Sequence, residues 1–118
     1  MPVSTQHGGC HCGAVRYTVE LDPMAEAISC NCSMCGRSGA ILSFVTPDKF
    51  TLDKGQDNLT DYQFNKHVIH HVFCKTCGIK SFARGQGPKG PMVAINVRCL
   101  DDVDVFKQPR NEFDGKSR

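Results

Sequence analysis

The chain has 118 residues, a formal net charge of +2 and a sequence pI near 8.1. Apolar residues make up 40% and charged residues 22%, ordinary values for a globular protein in water. The charge is too weak to argue for nucleic acid or an anionic membrane surface, no segment approaches the ~18 consecutive apolar residues of a membrane span, and the length suits one domain over residues 1–118.

The start, "MPVSTQHGG", is polar and lacks the apolar core of a secretory leader, so the cytoplasm is the expected compartment. Disulfides are rare there, and the eight cysteines then point to metal ligation. A secreted disulfide scaffold is the alternative, but such frameworks rarely place cysteines at CxC and CxxC spacing.

In chain order, "AVRYTVEL" (14–21) sets Val15, Tyr17 and Val19 against Arg16, Thr18 and Glu20, the period of a half-buried strand. "EAISC" (26–30) reads as a short strand. A single turn is expected over 33–38. "AILSFVT" (40–46) is a strand stopped by Pro47, and 47–50 is another single turn. "KFTL" leads into a loop at "DKGQDN" (53–58). "LTDYQF" (59–64) and "HVIHHVF" (67–73) flank a hairpin turn at Asn65-Lys66. "IKSFA" (79–83) and "MVAINVRCL" (92–100) are strands separated by the Gly- and Pro-rich loop "RGQGPKGP". No stretch keeps a 3.6-residue apolar period over helix length. The expectation is an all-β domain of seven or eight short antiparallel strands.

The cysteines fall into groups. "FCKTCG" holds Cys74 and Cys77 in the form of a zinc knuckle, in which the turn directs both sulfurs at one ion. A redox role for this CxxC would need a βαβ context that the sequence lacks. "GGCHCG" supplies Cys10 and Cys12, which in an extended segment point the same way. Together the four close a tetrahedral, structural site whose binding energy couples to folding. His11 between them is expected to point away.

"CNCSMC" supplies Cys30, Cys32 and Cys35 to a second ion. Three protein ligands with one open position is the arrangement of a reactive zinc. The alternative is a second structural site completed by Cys99, His67, His70 or His71; Cys99 is otherwise a buried core thiol and the histidines surface or core residues. A sulfur-rich zinc prefers a soft fourth ligand, so the site suits an incoming thiol that loses its proton there and adds to a small aldehyde, or the reverse cleavage of a carbon–sulfur bond. The carboxylates of a thiol such as glutathione would need cations. Arg37 is best placed in sequence, with Arg16, Lys80 and Arg84 as further candidates.

"GGCHCGAVRYTVE", "CNCSMCGRSG" and "FCKTCG", in this order, resemble the CENP-V/GFA domain family, named in part for the glutathione-dependent formaldehyde-activating enzyme. The later "CGIKSFARG…MVAINVRCLDDVDV" and "FDGK" look closer to the centromere-protein-V-type branch, and the resemblance runs from about Gly8 to Lys116. It implies an Mss4-like β-tent stapled by zinc. It implies a structural zinc on Cys10, Cys12, Cys74 and Cys77, and a second zinc on Cys30, Cys32 and Cys35. It further implies a carbon–sulfur lyase type of activity on S-(hydroxymethyl)glutathione, formed from glutathione and formaldehyde. The basic residue that often directly follows the CxCxxC in the family stands one step later here, at Arg37 after Gly36. The alternative function is a non-catalytic zinc-stabilised module that binds protein or nucleic acid, suggested by the branch features and the basic tail.

Overall fold

A computed structural model describes residues 3–25, 27–63, 69–87, 90–104, 106–107 and 109–114. Two sheets build it. The smaller has the order β1 (Ser4–Gly9), β2 (Arg16–Leu21), β5 (Phe50–Lys54). The larger runs β10 (Arg110–Phe113), β3 (Ala27–Cys30), β4 (Ile41–Val45), β9 (Gly90–Asn96), β8 (Phe82–Gly87), β7 (His70–Cys74), β6 (Leu59–Tyr62). Every pairing is antiparallel except β10 on β3, which is parallel. The one α-helix among the described residues, α1 (Ser33–Ser38), is a turn and a half long.

The alternation read in β2 is what joins the sheets. Val15, Tyr17, Val19 and Leu21 are buried while Arg16, Thr18 and Glu20 remain half-exposed. They meet Ile41, Val45, Phe82, Val93 and Ile95 of the larger sheet in one core. Tyr17, Phe50 and Phe82 form its centre, with ring centroids 4.8 to 5.8 Å apart in tilted and edge-on arrangements. The Tyr17 hydroxyl donates to the Ser81 carbonyl at 3.0 Å, which satisfies a polar group that burial would otherwise penalise.

Because successive strand residues face opposite ways, the partners of those core residues, Leu42, Ala83 and Ala94, lie on the outer face of the larger sheet. There they form a second apolar cluster with Cys35 and Ala40. α1 covers this patch, starting at the Cys32 N-cap and ending at Gly39, whose φ of 72° suits only a residue without Cβ.

The all-β architecture agrees with the sequence expectation, and so do both single turns, at α1 and at the 3₁₀ helix Pro47–Lys49. Several boundaries differ. The described residues contain ten strands, not seven or eight. β1 and β10 carry no apolar alternation; β10 is exposed throughout and pairs with β3 through its backbone. Residues 84–87, 90 and 91 are not a loop: β8 and β9 stay paired to Gly87↔Gly90, and 88 and 89 lie outside the described residues. Residues 53 and 54 extend β5, and the segment predicted at 92–100 leaves the sheet after Asn96. Its side-chain oxygen accepts from the Arg98 N–H at 3.2 Å and starts a 3₁₀ turn at Val97–Cys99. The Asn65-Lys66 turn and His67 lie outside the described residues.

Candidate metal centres

Cys10 and Cys12 sit in the turn after β1, not in the extended segment expected for them. The turn achieves what extension was meant to: their sulfurs are 3.6 Å apart, and Cys12 is 3.6 Å from the sulfur of Cys74 at the end of β7. With Cys77, all four sulfurs lie within 4.8 Å of one another. Zinc–sulfur bonds of about 2.3 Å in a tetrahedron require sulfur–sulfur edges of about 3.8 Å. The four residues therefore fit a zinc ion, and His11 between them is exposed.

Backbone groups are already turned toward these sulfurs. The Val15 N–H points at Cys10 Sγ at 3.3 Å and the Thr76 N–H at Cys74 Sγ at 3.3 Å. The Asn58 side-chain amide adds a donor to Cys74 at 3.2 Å. The Cys77 N–H, aided by that of Thr76 against burial, draws the Cys74 thiol down to about 6. The Ala14 N–H works to lower the Cys12 thiol, but desolvation and the hydrogen bonds it shares with Cys10, Cys74 and Cys77 push it up to about 11. A cation among the four sulfurs would let all of them ionise together.

Cys30 ends β3, Cys32 caps α1 and Cys35 lies one helical turn on, so strand end and helix start bring three sulfurs within 4.8 Å. The Cys32 N–H points at Cys30 Sγ and the Cys35 N–H at Cys32 Sγ, both at 3.4 Å. Burial opposes ionisation of Cys32, yet the N–H groups of Cys35 and Met34 bring its pKa below the ordinary thiol value. Cys35 is pushed up to about 12, by burial first and then by the charge on Cys32. This donor set also fits a soft divalent cation.

Among the described residues no further His, Cys, Asp or Glu joins this trio within the same radius. Cys99 belongs elsewhere. Burial holds its thiol up at about 11, and the charges it feels are those of Cys10 and Cys77. His70 pairs with Asp61 at 2.7 Å. His71 is buried on β7, and burial, then the positive charge of Lys80, lowers its pKa to about 4.

The four candidate cations divide clearly. Arg16 is tied to Asp101. Arg84 stacks on the core side, its guanidinium carbon 5.4 Å from the Phe82 ring centroid. Arg37 is exposed, donates to the Ser33 carbonyl at 3.1 Å and borders a cleft of about 350 Å³ with Ser33, Met34 and Tyr62. Lys80 is half-buried and its pKa lowered by burial, while Cys35 and Cys32 pull it back up. The Asn96 side-chain amide at the end of β9 donates to the Lys80 carbonyl at 3.0 Å, and nothing in the local sequence announces this placement.

No helix among the described residues is long and apolar enough to cross a membrane. The family model of the glutathione-dependent formaldehyde-activating enzyme matches residues 5–115. The fold is also that of a Rhodobacter sphaeroides protein known from a crystal structure, at 36% identity and a TM-score of 0.76, over 89% of this chain and 99% of that one. The strand order, the cysteine clusters and a match over nearly the whole chain lead to one conclusion: the chain belongs to the glutathione-dependent formaldehyde-activating enzyme family.

Proposed function

We propose that residues 1–118 act as one zinc domain that joins or separates a thiol and a small aldehyde, as in the interconversion of S-(hydroxymethyl)glutathione with glutathione and formaldehyde. The observation that carries this reading is the trio: three sulfurs converge while no fourth such donor approaches them among the described residues. In this reading Cys10, Cys12, Cys74 and Cys77 hold a structural zinc, and Cys30, Cys32 and Cys35 hold a second. A zinc held by three thiolates supplies an open position at which an incoming thiol becomes more acidic.

The chain's own residues do the rest. The N–H groups of Cys32 and Cys35 donate to the sulfurs of Cys30 and Cys32 and favour the ionised form of Cys32. Arg37, at the rim of its cleft, binds a carboxylate of the thiol substrate. Lys80 places a positive charge beside the trio and offsets its negative charge. In the addition, the thiol sulfur loses its proton and forms a bond to the carbonyl carbon. The π electrons move to the oxygen, which takes up one proton. Cleavage is the reverse, and neither direction needs an oxidant or reductant.

The test is metal stoichiometry combined with cobalt substitution. Two metal ions per chain, and a cobalt charge-transfer spectrum that changes on adding glutathione in wild type but not in Cys32→Ser, are the expected results. A thiol-insensitive spectrum would sink the reading in favour of two closed structural sites.

A further inference from the structure

The outer face of the larger sheet carries an apolar groove that neither cysteine cluster occupies. Its volume is about 310 Å³, at the small end of ligand pockets. Phe44, Ile69, Met92, Ala83 and Ala94 line it, with Arg84 and Gln86 also in the lining. Ala83 and Ala94 also belong to the patch on which Cys35, Cys30 and Cys32 pack, so the groove and the trio share a wall. Phe44 and Ile69 are 49% and 44% exposed, which leaves large apolar side chains half open to water beside the trio. The cleft bordered by Arg37 is separate and lies along α1. A charged thiol and an apolar group therefore each have a surface of matching character around the same three sulfurs.

Resting on the thiol–aldehyde reading above, we propose that the groove takes the carbon chain of the aldehyde, so that the preferred adducts carry an alkyl or aryl substituent of several carbons and not the single carbon of formaldehyde. The bond changes are those already given; only the group on the carbonyl carbon differs. A one-carbon substrate would leave Phe44, Ile69 and Met92 wet, whereas a chain of several carbons removes their surface and its own from water.

Two unreactive probes test this on the zinc-loaded protein. S-methylglutathione and S-hexylglutathione are titrated calorimetrically, alongside sedimentation and metal analysis. The hexyl probe is expected to bind at least about tenfold tighter, the effect of roughly two buried methylenes. Phe44→Gln, a half-exposed position, should remove most of that difference while S-methyl binding and zinc content stay unchanged. Equal affinities for the two probes would overturn the groove assignment and leave the thiol site standing. Failure of both to bind would overturn the groove assignment alone, because a thioether has no thiol proton to lose and the cobalt spectrum with glutathione tests the thiol site. A concentration-dependent dimer weakened by Phe44→Gln would show the groove to be a contact between copies, and would also overturn the proposal.

Discussion

The sulfur of Cys12 lies 3.6 Å from that of Cys74, its partner 62 positions along the chain. Cys12 follows a strand of the smaller sheet and Cys74 ends one of the larger, so this cluster ties the two sheets together. The trio spans only residues 30–35 and ties nothing distant. Cys74→Ser is therefore expected to lose one zinc equivalent and the cooperative thermal transition with it, since a structural zinc contributes on the order of 10 kcal/mol to folding. Cys32→Ser should lose the other equivalent and still melt cooperatively. Metal analysis with thermal circular dichroism compares them, and equal damage from both would contradict the division.

Gly55 has φ of 98°, and a Cβ there would stand 2.5 Å from the Ala14 carbonyl oxygen and 2.7 Å from the Val15 Cα. Both obstacles are backbone. Gly55→Ala should cost about 2–4 kcal/mol, from left-handed strain and overpacking combined. Urea unfolding of the zinc-loaded protein measures it; a loss under about 1 kcal/mol would mean that the β2–β5 contact yields easily.

Tyr17→Phe removes the buried hydroxyl that donates to the Ser81 carbonyl at 3.0 Å and leaves the ring contacts in place. The expected loss is about 1–2 kcal/mol, the usual cost of one buried hydrogen bond whose acceptor stays behind. Equilibrium unfolding should show it without any change in metal content.

His71 is held neutral. Burial, followed by the charge of Lys80 and against that of Asp61, lowers its pKa from 6.5 to about 4. Between those values the unfolded chain binds a proton that the folded protein refuses. The contribution to stability is thus complete above about pH 6.5 and is lost as the pH falls toward about 4. Unfolding free energy measured from about pH 5 to 6.5 should decline more steeply in wild type than in His71→Gln. Parallel slopes would mean that His71 titrates normally.

What the sequence makes legible follows from period and spacing. The alternation at Val15, Tyr17 and Val19 marks the strand that carries the core, and CxC and CxxC spacing separates the two sulfur clusters. β10 escapes because an exposed strand held by main-chain bonds has no side-chain period to read. Residues 84–87 escape because glycine there signals a turn, whereas the strand uses it to pass beside the apolar groove. Arg37 stands out by its nearness in sequence to Cys35, while Lys80, which feels the charges of Cys35 and Cys32, lies far from them in sequence.

The parallel addition of β10 to β3 also sets an order on biosynthesis. It brings Phe113 opposite Cys30, and the Asn31 side chain donates to Asp114 at 3.0 Å. A nascent chain leaving the ribosome thus displays the sulfurs of Cys30, Cys32 and Cys35 long before Ala83, Ala94 and Phe113 arrive to seat them. During that interval the three thiols are open to oxidants and to any passing metal.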